Sequence, residues 1–291
     1  MPDTPNTLRE AVVVRSPAKI NWTLQVAGKR PDGYHDIASL VSVVTLYDQL
    51  EFAPSPVPGV AVECDVPGLP TDGENLICRA ARMMAERTNR SAGLRCRLTK
   101  RIPVGGGLGG GSSNAAATLL ALRRLWQLDW PPNRLAELAA ELGSDVSLFL
   151  EGGSAVISGR GERVRPARLG WTGWIVLIMP GLSVSTPAVY RAWRPGVQEP
   201  RAVEPPPARN AVEWMNATFN MLEAPAIEVC PPLGALQREA SRMADRPVRI
   251  SGSGSTMFTA FDTRDEGQAF AQAVEARLAV RTELVQPVEQ T

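Results

Sequence analysis

Six glycines packed into seven residues constrain this chain more than any other feature. The stretch KRIPVGGGLGGGSSNAAATLLALRRLW, residues 100–126, places Gly105, Gly106, Gly107, Gly109, Gly110 and Gly111 between a strand and a helix. GLRCRLTK, at 93–100, alternates Leu94, Cys96 and Leu98 with Arg95, Arg97 and Thr99, which predicts a half-buried strand. Ala115, Leu119, Leu122 and Trp126 mark one face of the helix, and Ser112, Ser113 and Asn114 open it. Glycine lets the backbone take positive φ and come close to a ligand. A helix N-terminus adds unpaired N–H groups and a partial positive charge. Together these predict an anion site suited to a di- or triphosphate.

Other readings of the loop compete. A Walker A loop ends in Gly-Lys-Ser/Thr. Here Gly110 is followed by Gly111, with no lysine, so that reading fails. A dinucleotide-binding loop needs G-x-G-x-x-G, which Gly105, Gly107 and Gly110 meet trivially in so glycine-rich a run. It also needs an acid at the end of a following strand. Asp129 has about the right spacing, but DWPPN leads into a helix. A flexible linker does not usually join an amphipathic strand to a well-formed helix.

The bulk properties bound the partners. A chain of 291 residues suits about two domains. With 44% hydrophobic and 21% charged residues it is ordinary for a globular protein. A formal net charge of +1 gives no broad case for nucleic acid or an anionic membrane. WIVLIM, at 174–179, is far too short to span a bilayer and reads as a buried strand. MPDTPNTLRE lacks the basic-then-apolar layout of a signal peptide, so a cytoplasmic location is expected. Cys64, Cys78, Cys96 and Cys230 form no C-x-x-C pair and have one histidine to help them, so free thiols are expected and a zinc site is not.

Along the chain, AVVVRSPAKINWTLQVAG, 11–28, reads as strand, break, strand, with Pro17 setting a bulge or crossing at 16–19. PDG at 31–33 is a turn, and IASLVSVVTLYDQLEF offers more strand. ENLICRAARMMAERT, 74–88, has Leu76, Ala80, Met83 and Met84 at helical spacing, with Asp72 as a candidate cap. PPNRLAELAAELG, 131–143, is a second helix with prolines at its start and Gly143 at its stop. GGSAVISGRGERV resembles a hairpin. The first domain is expected over 1–165, and WIVLIMPG opens a second over 166–291. RPGVQEPRAVEPPPAR, 194–209, reads as a long exposed connection. RISGSGSTMFTAFD, 249–262, reads as strand, glycine turn, strand, followed by a helix near 265–278 and a last strand near 279–285. Strands and helices alternate without a regular βαβ cadence, which favours α+β.

The pattern P-x-G-G-G-L-G-G-G-S-S-N-A-A resembles the phosphate loop of the GHMP kinases, the superfamily of galactokinase, homoserine kinase and mevalonate kinase. SPAKINWTLQVAGKRPDGYHDIASLVSVVTLYDQL resembles its N-terminal motif, GSDVSLFLEGGSAVISGRGE its acidic motif, and ISGSGSTMFTAF its third, C-terminal glycine motif. LSVSTPAVY and NMLEAPA fall where the family has similar segments. The likeness covers nearly the whole chain. Its doubled triple glycine narrows it to the branch acting on 4-diphosphocytidyl-2-C-methyl-D-erythritol, in the non-mevalonate isoprenoid pathway. Two departures stand out. Ser147 replaces the usual proline of the acidic motif, which is expected to loosen a turn. Met221 replaces the usual acid after Asn220, which weakens the case for a role of that asparagine.

The resemblance implies an α+β GHMP kinase fold, with an N-terminal domain like domain 2 of ribosomal protein S5 and a ferredoxin-like C-terminal domain. It implies ATP as co-substrate, with Pro103, Val104, Gly105, Gly106, Gly107, Leu108, Gly109, Gly110, Gly111, Ser112 and Ser113 around its phosphates. Mg²⁺ would be held largely by phosphate oxygens and water, not by a direct protein cage, with Ser112 or Ser113 near it.

The resemblance points to Lys19 and Asp145 as the catalytic pair. A free alcohol has a pKa near that of water, about 15.7, and an ordinary Asp one of about 3.9. Asp145 is therefore expected to orient the acceptor hydroxyl and take its proton late. Lys19 is expected to hold Asp145 ionised and offset charge on the transferred group. Taken alone, Asp145 suits equally well the cap of a helix starting at Val146. Lys19 alone suits an exposed lysine on an edge strand.

For the cytidine end, Tyr34 and Tyr190 are expected to sandwich the pyrimidine. His35, the only histidine, would hydrogen-bond the base edge, although a solitary surface histidine is commonly uninvolved. Asn21 is a candidate for the substrate diphosphate or a hydroxyl. Gly252 and Gly254 read either as a hairpin turn or, by the resemblance, as part of a cleft lining. The oligomeric state is not legible. Two functions of other classes remain for comparison: an RNA-binding protein built on an S5-like domain, which the near-zero charge disfavours, and a nucleotide-dependent oxidoreductase.

Overall fold

The computed structural model describes residues 11–90, 93–196 and 203–289. The polar first ten residues and residues 197–202 of the proline-rich segment lie outside the described residues. The elements run β1 (Val12–Asn21), β2 (Thr23–Lys29), β3 (His35–Pro54), β4 (Gly59–Cys64), α1 (Leu76–Thr88), β5 (Gly93–Thr99) and α2 (Gly110–Leu125). They continue α3 (Pro132–Leu142), α4 (Val146–Glu151), β6 (Ser154–Gly159), β7 (Arg163–Pro166), β8 (Trp174–Met179), α5 (Thr186–Ala192) and α6 (Ala211–Ala217). The last are β9 (Phe219–Asn220), α7 (Glu223–Val229), α8 (Pro231–Ala244), β10 (Arg249–Ile250), β11 (Met257–Phe261), α9 (Arg264–Leu278) and β12 (Arg281–Val285).

The chain forms two compact units, each assembled from separated stretches. The first takes the chain up to Pro17, Tyr47–Arg101 and Gly110–Leu150; the second takes Ala18–Leu46, Ile102–Gly109 and the chain from Glu151 onward. No single cut separates them, because β1, β3 and the glycine loop each pass from one unit to the other.

In the first unit, β5 pairs parallel with β4 and antiparallel with the end of β3, where Gln49 faces Thr99 and Pro54 faces Leu94. Leu94, Cys96 and Leu98 are buried while Arg95 and Arg97 are exposed, as the alternation predicts. Helices α1, α2 and α3 pack on one another, and α1 also covers β4. The buried face of α1 is Ile77, Ala80, Ala81 and Met84. Asn75, not Asp72, caps it: Asn75 Oδ1 accepts from Ile77 N at 2.9 Å. Asp72 instead forms the turn before the cap, accepting from Glu74 N at 3.1 Å. Free Cys96 is deeply buried here, which pushes its thiol up to about 12.

In the second unit, β8 lies between β11 and β12, and β10 extends the sheet beyond β11, all antiparallel. α9 packs on β8, β11 and β12, and α8 packs on α9. Thr263 and Glu266 close a reciprocal capping box at the start of α9. The first part of β3 pairs with β2 and β6, β6 and β7 form the expected hairpin, and β2 pairs parallel with β9. Pro17 lies inside β1 and does not break it. The break falls at Trp22, whose backbone N–H donates to Leu40 O at 2.8 Å and whose indole N–H donates to Ser42 Oγ at 2.7 Å. A strand tolerates proline where no ladder bond calls on its nitrogen.

Trp22 is the hub of an aromatic core. Its ring meets those of Trp171, Trp214 and Phe258 edge-on at 5.4–5.8 Å. Such contacts are worth roughly 0.5–1.5 kcal/mol each beyond area burial. Val203 and Ala208 pack against this cluster, so the described part of the proline-rich segment is not merely an exposed connection. Among the described residues, no helix is long and apolar enough to cross a membrane.

Candidate active site

The glycine loop meets a second glycine turn, backbone against backbone. Lys19 N donates to Leu108 O at 3.0 Å, and Thr256 N donates to Gly106 O at 3.1 Å. Ser251 Oγ donates to Gly107 O at 3.0 Å. Gly107 has φ +76°, and a Cβ there would stand 2.2 Å from Ser251 O. That position therefore requires glycine both for its conformation and for its closeness. Gly105 and Gly109 share the positive φ, while Val104 and Gly105 are exposed at the tip.

Lys19 and Asn21 bring side chains to the same place from β1. Lys19 is 5% exposed and Asn21 3%, so neither is a solvated strand residue. Lys19 Nζ donates to Asn21 Oδ1 at 2.6 Å. Asn21 Nδ2 donates to Ser39 Oγ at 2.8 Å, which fixes the amide's orientation and aims its oxygen at the ammonium. A Cβ on Gly252 would lie 3.4 Å from Asn21 Oδ1 and 3.6 Å from Lys19 Nζ. The 251–254 turn thus lines the space around Lys19 and is more than a hairpin connection.

Asn220 holds that turn. Its Nδ2 donates to Ile250 O at 2.8 Å and to Gly252 O at 2.7 Å, and its Oδ1 accepts from Leu222 N at 2.8 Å. Glu223 Oε1 accepts from Ile250 N at 2.8 Å beside Arg249. The departure at Met221 leaves Asn220 in place, contrary to expectation. Met221 is buried, and its Sδ accepts from Val26 N at 3.4 Å. The sequence gives Asn220 only a weakened role and Glu223 none, whereas both side chains hold the strand and turn around Ile250. The readable signal was the N-x-x-E spacing in NMLE.

The ring residues group differently from the expected sandwich. His35 stacks on Tyr190 with centroids 5.0 Å apart and planes 30° from parallel. Trp193 meets His35 edge-on at 5.7 Å. Tyr34 is 55% exposed, and its ring lies under the Arg160 guanidinium at 5.1 Å. Burial, and then the charge of Lys29, hold the His35 imidazole below its ordinary range, so it favours the neutral form.

Asp145 belongs to the other unit. It stands half-buried immediately before α4, whose first amide, Val146 N, donates to Gly143 O at 3.2 Å. Ser147 is buried in the first turn of α4, and the turn is formed without the usual proline. In the same unit, Ser113 is buried with its hydroxyl engaged by Ser16 Oγ at 2.7 Å, whereas Ser112 is half-buried. Of the two serines, Ser112 is the better fit for a metal bound to phosphates. Among the described residues there is no cluster of His, Cys, Asp and Glu that would hold a metal ion.

The profile of the GHMP kinases N terminal domain matches residues 75–153, and that of the GHMP kinases C terminal domain matches 208–280. The 4-diphosphocytidyl-2-C-methyl-D-erythritol kinase of Bacillus pumilus is 38% identical over 253 residues, covering 85% of this chain and 87% of the relative. That of Paramagnetospirillum magneticum is 39% identical over 266 residues, covering 90% and 92%. The chain belongs to the 4-diphosphocytidyl-2-C-methyl-D-erythritol kinase family. A crystal structure of a 4-(cytidine 5'-diphospho)-2C-methyl-D-erythritol kinase superposes with a TM-score of 0.80 at 35% identity, covering 95% of this chain and all of the other. Homoserine kinase from Cytophaga hutchinsonii, at 19% identity and a TM-score of 0.74, shares the fold. As a member of this kinase family the chain is an enzyme, and the GHMP kinase fold expected from the glycine loop is present.

Proposed function

We propose that the chain transfers the γ-phosphate of ATP to the 2-hydroxyl of 4-diphosphocytidyl-2-C-methyl-D-erythritol, within isopentenyl diphosphate biosynthesis by the non-mevalonate pathway. The observation that carries this reading is the meeting of the loop at Gly106–Leu108, the 251–254 turn and the buried Lys19. Phosphoryl transfer asks for positioning and charge neutralisation more than for covalent chemistry. A loop with exposed backbone at Val104 and Gly105, leading into the start of α2, suits the β- and γ-phosphates of ATP.

In this reading Lys19, held by Asn21, faces the transferred group and offsets its charge. Asp145 orients the acceptor hydroxyl and accepts its proton late. Mg²⁺ is held by the phosphates and water, with Ser112 as the protein oxygen near it; when bound, it neutralises charge on the phosphates. Tyr34, His35 and Tyr190 receive the cytidine end, and the half-buried, neutral imidazole of His35 is suited to hydrogen-bonding a base edge. We assign the family domains along the sequence to 1–165, which holds the loop, and 166–291, each containing one matched profile; the compact units are drawn from stretches on both sides of other boundaries as well. The reading keeps the cytoplasmic location expected from the N-terminal sequence, and no described helix is long and apolar enough to cross a membrane.

The test is acceptor dependence. Purified protein with ATP and Mg²⁺ should release ADP when the cytidine substrate is added, and not with homoserine or mevalonate. Release with either of those and none with the cytidine substrate would overturn the reading.

A further inference from the structure

A buried polar cluster in the first unit, centred on Asp48 and Asn114, reaches residues at both ends of the glycine loop. Asp48 is fully buried. Lys100 Nζ donates to its Oδ2 at 2.6 Å, and the backbone N–H of Arg101 donates to its Oδ1 at 2.8 Å. Asn114 approaches from α2. Its amide nitrogen faces three oxygens: Ser16 Oγ at 2.7 Å, Gly110 O at 3.1 Å and Asp48 Oδ2 at 3.1 Å. The opposite orientation would set an amide oxygen against a carboxylate and a carbonyl. Ser16 Oγ in turn donates to Ser113 Oγ at 2.7 Å.

These contacts converge on one feature of the chain. The glycine loop leaves the first unit at Arg101 and re-enters it at Gly110. Asp48 holds the first of these feet directly and reaches the second through Asn114. Four of the eight residues between the feet are glycine, so a loop held only through Gly106–Leu108 would keep conformational freedom at its ends to lose on binding. A buried carboxylate is costly unless it is paired and hydrogen-bonded. Lys100 neutralises the charge here, and the remaining oxygen positions serve the loop.

We propose that Asp48 is a positioning residue for the nucleotide. Together with Asn114 it clamps both feet of the phosphate loop, so that the loop's N–H groups are set before ATP arrives. This rests on the reading that the loop holds ATP. It adds that a carboxylate outside the loop contributes to its affinity by holding the loop's two feet, beside the contacts that hold its middle.

The test compares wild type, Asn114→Ala, Asp48→Asn and the double variant. Binding of a non-hydrolysable ATP analogue is measured by calorimetry, with thermal unfolding and the two Michaelis constants alongside. Failure of the wild type to bind the analogue would sink the reading of the loop rather than the clamp. With wild-type binding in place, each single variant should weaken it about tenfold, the scale of one lost hydrogen bond to a charged group. KM for ATP should rise in step, with KM for the cytidine substrate within about twofold, since only the loop is released. The double variant should be little worse than either single, because both cut the same clamp. Lowered melting temperatures with unchanged analogue affinity, or losses that simply add, would overturn the proposal. If Asp48→Asn does not fold, Asn114→Ala alone decides: weakened analogue binding with KM for the cytidine substrate within about twofold supports the clamp, and unchanged analogue affinity overturns it.

Discussion

Lys19 Nζ lies 2.6 Å from Asn21 Oδ1, and both side chains are buried, so the cation is aimed before any substrate arrives. Lys19→Met should therefore lower kcat by about 10²–10³, the scale of removing one preorganised transition-state donor. Affinity for an ATP analogue should stay within a few-fold. Asn21→Ala keeps the ammonium but removes its bond to Asn21 Oδ1, and should cost about tenfold, the scale of one lost hydrogen bond to a charged group. Steady-state kinetics check both; equal losses in the two variants would contradict the division of roles.

Gly107 and Gly105 share a positive φ but not an environment. A Cβ at Gly107 would collide with Ser251 O at 2.2 Å, whereas one at Gly105 would meet nothing within 4 Å. Within the protein, Gly105→Ala should lower stability by backbone strain alone, about 1–2 kcal/mol. Gly107→Ala must also push the loop off the 251–254 turn, so it should melt several degrees lower and lose ATP-analogue binding. Thermal unfolding and calorimetry compare the two, and identical behaviour would contradict the packing account.

The loop was legible because its chemistry is local. Glycines, a strand before and a helix after are all read within 27 residues, 100–126. The helix starting at Val146, the 249–262 turn and α9 were legible for the same reason. The cap of α1 was misplaced by three residues, because Asp72 and Asn75 are both capable caps and only the turn geometry chooses between them. Helices α5, α7 and α8 escaped because their prolines resemble loop punctuation, although Pro187 and Pro231 sit where helices begin, and the proline-free α6 escaped because it is short and follows the PPPAR run. Asn220 was discounted on the strength of its neighbour. Its three bonds reach residues as far as 32 positions away, and no local pattern shows that. The aromatic pairing is set by the fold in the same way: Tyr34 lies under Arg160, and nothing in the spacing shows that it is His35 that faces Tyr190.

His35 offers a clean pH test because the chain has one histidine. Burial first, and the Lys29 charge second, depress its pKa from the ordinary value of 6.5. The folded state then binds fewer protons than the unfolded chain between the two values. Stability should rise with pH through that window and fall as pH drops below about 6.5. A proton NMR titration of the imidazole should give a pKa below 6.5, moving upward in Lys29→Met. An unshifted titration would contradict the burial argument. His35→Ala should raise KM for the cytidine substrate more than it lowers kcat, and a pure rate loss would return the histidine to the chemistry.

Asp145→Asn keeps the size of the side chain and its place before α4 but removes the acceptor for the hydroxyl proton. Turnover should fall by about 10²–10⁴, the range for a positioned general base, with ATP-analogue affinity within a few-fold. Near-normal turnover in this variant would leave Asp145 with only its place at the start of α4.

The most direct test is the position of the new phosphate. Wild-type protein is incubated with ATP, Mg²⁺ and 4-diphosphocytidyl-2-C-methyl-D-erythritol, and the product is followed by phosphorus NMR. The account predicts a new monophosphate resonance, coupled to the methyl-bearing carbon of the 2-position, appearing in step with ADP. ADP release without that resonance, or a phosphate on another hydroxyl, would contradict it.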